Sequence, residues 1–432
     1  FFFLLLWRRA AIRLAQKLIR MSSTAATILS ATESNLRLAG ERLRAGGLVA
    51  FPTETVYGLG ANALNETAVL SIFAAKGRPL TDPLIVHVPS TEKALELLVL
   101  DDKARELFTF MAARFWPGPL TMVARAVDRI PLKVSASTGF VGVRRPAHDV
   151  AQRMLELAGV PVAAPSANRF GHVSPTSPHH VVADLGAHPI TVLDGGDSCA
   201  VGIESTVMKI DLEHDPPRLL LFRRGGVSQR QLERALREGG FGHVHVDVVK
   251  RTAGDDEAGL ESPGQLLVHY APDVVTYLVR HKRDHHATVA PAASGVVSAA
   301  PPSAVPTPTL LVDGGGSLDV SRAAVLDFGG ALARMGLRGG CLAYRDLSVE
   351  GDVAAAARGL FDGLRWSEAV EGVKLVLLAD VLHLARDHEH ADAVGDRMFR
   401  AASGRYCRLV PAVGTVHATA AVDDTAAHVA AV

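Results

Sequence analysis

Leu48-Val49-Ala50-Phe51-Pro52-Thr53-Glu54-Thr55-Val56-Tyr57-Gly58-Leu59-Gly60-Ala61-Asn62 sets the pattern that the first half of the chain repeats. Its apolar start, Leu48 to Phe51, breaks into proline, threonine, glutamate and two glycines, as a strand does when it delivers polar side chains to the end of a sheet. Open α/β sheets bind ligands at such ends. The next stretch predicts a helix with Asn65 as N-cap and Val69, Ile72 and Phe73 on one face. It stops before Pro79, because the residue preceding a proline avoids the helical region. Lys76 and Arg78 then fall just past its end, with Gly77 between them. Two cations so close beside a polar loop suit an oligoanion, most simply a nucleoside triphosphate. The plain alternative for an isolated Lys-Gly-Arg-Pro is a basic helix C-terminus, which the macrodipole favours.

Working outward, the same design recurs. Val160 to Ala164 is apolar and runs into Pro165-Ser166-Ala167-Asn168; Gly202-Ile203-Glu204-Ser205-Thr206 enters another strand; Leu219 to Phe222 ends on Arg223-Arg224-Gly225. Phe115-Trp116-Pro117-Gly118-Pro119 turns into a strand from Thr121 to Ala126, where Arg125 shares a face with Thr121 and Val123. Further strands are expected over Phe140 to Arg145 and Ile190 to Leu193, and helices over Thr91 to Leu100, Ala104 to Arg114, Val150 to Leu157 and near His179 to Leu185. Several strand tips thus carry Ser, Thr, Asn, Lys and Arg, with no acid/base dyad, Ser-His-Asp order or metal-ligand cluster beside them. The chemistry on offer is positioning and charge neutralisation.

At 432 residues the chain has room for two domains, and its formal charge of zero asks for neither nucleic acid nor an anionic membrane as partner. Three widely spaced cysteines, Cys199, Cys341 and Cys407, point to a reducing compartment and away from a disulfide framework or structural zinc. Residues 1–30 form a leader, basic and free of acids before Glu33, which fits either an organelle transit peptide or translated sequence upstream of Met21. Residues 31–235 form the first domain. Residues 236–309 are a linker holding Ser262-Pro263-Gly264-Gln265-Leu266-Leu267-Val268-His269-Tyr270-Ala271-Pro272 and then an insertion rich in Ala, Pro, Ser and His. Residues 310–420 form a smaller α/β domain, with short strands over Leu310 to Val312, Gly340 to Tyr344 and Leu375 to Leu378 and helices over Ser321 to Met335 and Val353 to Leu364. The histidines His285 and His286, and Asp387-His388-Glu389-His390, lack partner spacing for a metal and are expected to be solvated.

Taken in order, PTETVYGLGANA (Pro52 to Ala63), KGRP (Lys76 to Pro79), DPLIVHV (Asp82 to Val88), FWPGPLTMV (Phe115 to Val123), VGVRRPAH (Val141 to His148), APSAN (Ala164 to Asn168) and GIESTV (Gly202 to Val207) resemble the YrdC-like domain of L-threonylcarbamoyladenylate synthases. The linker motif, with GLFDGLR (Gly359 to Arg365) and GDRMFRAASG (Gly395 to Gly404), is similar to the long, two-domain form of that family. The resemblance implies an α/β fold: a YrdC-like twisted mixed sheet followed by a smaller Rossmann-like α/β domain. It also implies a transferase that joins L-threonine, bicarbonate and ATP, with Mg²⁺ on the triphosphate, and releases pyrophosphate. Other proteins then transfer the product to adenosine 37 of tRNA, and the enzyme's own contact with tRNA would be weak at most. A cytoplasmic location is expected, or a mitochondrial one if the leader is genuine; no membrane is involved.

By motif, Lys76, Arg78, Ser166 and Asn168 match the family's catalytic signature. Thr55, His87, Arg125, Ala164 and Ser205 fall at positions expected to bind threonine, Arg125 through its carboxylate. Arg78, Asp82, Thr121, Ser166, Ser174, Arg223 and Tyr270 fall where ATP is bound. The chain departs from the family at Gln265 to Val268, where a basic and aromatic run is usual, and at Asp82, where asparagine is. Because carbamates break down in water, the site must exclude it, and a segment tethered at Tyr270 could fold over the cavity. A different class of protein with this domain would be a non-catalytic RNA-binding module, which the neutral charge and absence of interleaved basic and aromatic residues disfavour.

Overall fold

The computed structural model describes residues 25–196, 199–249, 260–263, 270–280, 309–312 and 316–410. Most of the leader, Gln265 to His269, His285 and His286 lie outside these residues. Strands β1 (Thr27–Ser30), β2 (Leu48–Phe51), β3 (Gly58–Asn62), β4 (Ile85–His87), β5 (Leu98–Val99), β6 (Leu120–Ala126), β7 (Phe140–Arg144), β8 (Val162–Ala163), β9 (Ile190–Asp194), β10 (Thr206–Asp211), β11 (Arg218–Arg223) and β12 (His245–Val248) form one mixed sheet. Their order is β1-β9-β2-β3-β8-β4-β7-β6-β10-β11-β12, with β5 on β6. All four residues of β2 are buried, as its unbroken apolar run requires of a strand covered on both faces.

The helix Glu66–Lys76 is capped by Asn65, whose side chain accepts from the Ala68 amide, and it ends on Gly77 in the left-handed region at φ 63°. Lys76 is therefore its last residue rather than the first beyond it. The helix expected over Thr91 to Leu100 is shorter, Thr91–Leu95, because Leu98 and Val99 pair with Ala126 and Arg125 as β5. Helices Glu33–Arg44 and Asp149–Ala158 cover one face of β2 through Leu36, Leu43, Met154 and Leu155.

A second sheet holds β13 (Val275–Arg280), β14 (Thr309–Val312), β15 (Ser317–Leu318), β16 (Ala323–Asp327), β17 (Ala343–Asp346), β18 (Leu375–Ala379) and β19 (Tyr406–Val410) in the order β15-β14-β19-β13-β18-β16-β17. Neighbours from β19 to β17 run parallel, with β14 antiparallel at one side. A helix was expected over Ser321 to Met335; that segment is β16 flanked by single 3₁₀ turns. All five residues of β16 are buried, with parallel strands paired on both sides. An interior strand of this kind has no polar alternation to betray it, and its alanines read as helical.

The two sheets are joined by packing as well as by chain. Val56, Val173 and Ile203 of the first unit sit in one apolar cluster with Leu360, Phe361 and Leu364 of the helix Val353–Ala369. Gly202, at φ 74°, lies where an added Cβ would stand 2.4 Å from Arg358 Cα, so only glycine admits the helix there. The segment Asp387 to His390 is a surface turn, with Asp387 and His388 exposed, and it also touches the first unit. Glu389 accepts a 2.6 Å hydrogen bond from the Ser228 hydroxyl, and Arg230 donates to the Asp387 carbonyl at 3.2 Å. No helix among the described residues is long and apolar enough to cross a membrane.

Candidate active site

The loop after β2 is shaped by its own hydroxyls. Thr53 Oγ1 accepts from the Thr55 and Val56 amides at 3.2 Å and donates to the Val56 carbonyl at 2.6 Å. That turn delivers Thr55 to the wall of a cavity at the tips of β2, β4, β7, β8 and β10 and the end of β11. Across it, Gly58 bridges to Ser166, and the Leu59 amide donates to the Pro165 carbonyl at 2.8 Å. The two polar strand tips quoted from the sequence are thus adjacent in space.

Three buried arginines line the cavity: Arg78, Arg144 and Arg223. Arg144 donates to Thr55 Oγ1 at 3.0 Å and pairs with the buried Glu54 carboxylate at 2.7 Å. Arg223 donates to the Ser205 carbonyl at 3.0 Å and hydroxyl at 3.1 Å, and that hydroxyl lies 2.8 Å from Thr121 Oγ1. Arg78 donates to the Asp82 and Pro83 carbonyls and pairs with Asp82 at 3.0 Å. Burial pulls Arg78 and Arg223 below the usual guanidinium range, so both gain from an incoming anion.

Lys76 stands behind this surface. Its ammonium donates to the Ser166 and Asn168 carbonyls at 2.6 and 2.5 Å, tying the Ser-Ala-Asn loop to the helix end. Burial, with the Arg78 cation beside it, holds Lys76 well below the usual lysine range. Asn168 Nδ2 donates to the Arg169 and His172 carbonyls, both at 2.7 Å. His87 lines the cavity beside Phe51; burial and the Arg144 charge lower it to about 3, so it is neutral. Ser174 donates a 2.6 Å hydrogen bond to Glu204 Oε1, and Glu204 also lines the cavity.

Of the residues expected to form the site, Thr55, Arg78, His87, Ala164, Ser166, Ser205 and Arg223 line one cavity. Lys76, Asp82, Thr121, Asn168, Ser174 and Tyr270 are buried in the walls behind it. Arg125 is elsewhere. It lies four residues, roughly 13 Å, along β6 from Thr121, exposed and with its guanidinium 5.5 Å from the Phe140 ring. The arginine that reaches the cavity is Arg144, at the end of β7, within the quoted VGVRRPAH segment. Its signal was present: of adjacent Arg144 and Arg145, strand alternation turns one inward. Glu204 and the second unit's Arg397, which pair at 3.1 Å, carry no signal in the sequence, because an ion pair between distant segments leaves no local pattern.

An α/β sheet whose tips gather buried guanidiniums and hydroxyls around one cavity is the site of an enzyme that handles anionic substrates by positioning. Residues 41–225 match the family described as "Telomere recombination", and residues 227–403 match "Threonylcarbamoyl-AMP synthase, C-terminal domain". A threonylcarbamoyl-AMP synthase of Pyrococcus abyssi is 44% identical over 252 residues, covering 58% of this chain and 70% of the relative. One from Bacillus subtilis is 40% identical over 245 residues, covering 56% and 66%. The crystal structure of P. abyssi Sua5 complexed with L-threonine superposes with a TM-score of 0.67 at 30% identity, covering 88% of this chain and 99% of that one. The chain belongs to the threonylcarbamoyl-AMP synthase family.

Proposed function

We propose that this chain makes L-threonylcarbamoyladenylate from L-threonine, bicarbonate and ATP, releasing pyrophosphate. The observation that carries the reading is the convergence of Arg78, Arg144 and Arg223, all buried, on one hydroxyl-lined cavity. Threonine's amine and bicarbonate condense to a carbamate with loss of water. A carbamate oxygen then attacks the α-phosphorus of ATP, and the bond to the β-phosphate oxygen breaks as pyrophosphate leaves. Arg144 and Thr55 hold the amino acid, the arginine neutralising its carboxylate; neutral His87 contributes a donor or acceptor without competing charge. Arg78 and Arg223 neutralise the polyphosphate and Ser166 orients it, while Ser205, held by Thr121 from behind, faces the threonine. Lys76 fixes the Ser166 loop from behind.

Mg²⁺ enters with the triphosphate. The buried carboxylates around the cavity, Glu54, Glu204 and Asp82, each pair with an arginine, so the ion would be held by phosphate oxygens and water. Bound there, it would shield phosphate charge. The product's unstable mixed anhydride calls for prompt hand-over to the proteins that modify adenosine 37 of tRNA, and direct tRNA contact is weak beside that exchange. The location is cytoplasmic in this proposal.

The test is pyrophosphate release with ATP, threonine and bicarbonate together and each omitted in turn, using wild type and Lys76→Ala. Release that needs all three and collapses in the variant is expected; release indifferent to threonine would overturn the assignment.

A further inference from the structure

We propose that Arg397, on the second unit's helix Ala391–Ala401, is a positioning residue for the nucleotide half of the site, acting through Glu204 and Ser174. Arg397 is fully buried. Its Nε donates to Glu204 Oε2 at 3.1 Å, and the other Glu204 oxygen accepts from Ser174 at 2.6 Å. Its Nη1 donates at 2.5 Å to the carbonyl of Arg224, the neighbour of cavity-lining Arg223, and more weakly to the Ala393 carbonyl at 3.4 Å. Asp396 lies 3.4 Å from the same nitrogen, and the Tyr270 ring 5.6 Å from the guanidinium carbon. Nη2 has no hydrogen-bond partner among the described residues.

The charge balance explains the arrangement. Glu204 is a buried carboxylate facing a cavity that has to admit a polyanion. Alone it would repel the triphosphate across a medium that screens poorly. Paired with Arg397 it carries no net charge toward the nucleotide, yet still orients the Ser174 hydroxyl. Removing one partner of such a pair strands the other, which is more damaging than losing both.

Other contacts already hold the two units together: Arg365 with Asp184 at 3.0 Å, Ser228 with Glu389 at 2.6 Å, and the shared apolar cluster. What separates Arg397 from these is that its carboxylate partner lines the cavity. The second unit therefore supplies part of the site's electrostatics as well as its backing.

This inference rests on the synthase reading, and the two can fail separately. With the full chain, ATP affinity is measured by calorimetry without threonine, alongside KM for ATP and for threonine and the thermal midpoint. Arg397→Met should weaken ATP binding and raise its KM about tenfold or more, with the threonine KM within about twofold. Arg397→Lys should recover part of the loss, and Glu204→Gln added to Arg397→Met should restore ATP affinity by removing the stranded charge. Glu389→Ala, which removes only a contact between units, should leave ATP affinity unchanged. The proposal is overturned if Arg397→Met lowers the thermal midpoint alone, or if Glu389→Ala weakens ATP binding equally. Absence of threonine-dependent pyrophosphate release in wild type would count against the synthase reading, while the ATP affinities would still decide the role of Arg397.

Discussion

Arg125 and Arg144 show what a single residue's place can do. Both are strand arginines, and on composition either could meet a carboxylate. Burial separates them, since only Arg144 gives up solvent, and it is compensated by Glu54 and the Thr55 hydroxyl. Arg144→Met should raise the threonine KM by about two orders of magnitude, since it strands Glu54 and removes the carboxylate's partner. Arg125→Ala should change it by less than about twofold, as an exposed cation near a ring contributes little. Equal effects in steady-state assays would reverse the assignment. Among residue types, the hydroxyls and cations of the contiguous motifs were legible in the sequence because each motif is also a strand tip. Glu204 was quoted within such a motif without a role, since its meaning lies in a partner 193 positions further along.

Elements differ in how openly they announce themselves. The helix Glu66–Lys76 was readable from its ends, an asparagine cap and a glycine stop, and from the buried Val69, Ile72 and Phe73, while Glu66, Thr67, Leu70 and Ala74 stay exposed. Those ends also carry its stability. Asn65→Ala should cost about 1 kcal/mol by leaving the Ala68 amide without its acceptor. Gly77→Ala should cost a similar ~1 kcal/mol through backbone strain alone, because nothing stands within 4 Å of the added Cβ. Urea titrations read both; a neutral Gly77→Ala would mean that the left-handed turn is not what the fold needs. By contrast β16 concealed itself. An interior parallel strand is buried on both faces, so Ala323-Ala324-Val325-Leu326 lacks the alternation that marks a half-buried strand. Its terminal Asp327 is spent locally, accepting from the Leu332 and Ala333 amides and from Tyr344.

At the scale of the whole molecule, the junction between the two units is polar as well as apolar. His172 lies between Asp184 and Glu368, at 2.8 and 3.0 Å, and the Asp273 amide also donates to Glu368. Burial alone would lower the imidazole, but hydrogen bonds and charge from Asp184 and Glu368 outweigh it and raise His172 to about 9. A group raised above its unfolded value near 6.5 gives its full stabilisation below that pH and loses it as pH climbs through about 9. The thermal midpoint should therefore fall between pH 6.5 and 9.5, by several degrees more in wild type than in His172→Gln. Parallel curves would show that the histidine is neutral in the fold. None of this junction could be foreseen, because its members come from three separate segments whose charges look like ordinary surface.

The second sheet's topology has an entropic corollary. β13 ends at Arg280 and β14 begins at Thr309, and both flank β19, Arg280 opposite Arg408 and Thr309 opposite Val410. The ends lie on either side of that one strand, with mates two residues apart along it, so they stand roughly 12 Å apart, a gap that a handful of residues can bridge. Residues 281–308 number 28, far more than the span demands. Loop closure depends on length only logarithmically, so cutting those residues to about seven should raise unfolding free energy by roughly 1 kcal/mol and leave turnover unchanged. A larger change in either direction would mean that the excursion touches the rest of the protein. If the small gain is found, this is the point where the chain tolerates lengthening, shortening or a grafted sequence while the sheet on either side keeps its register.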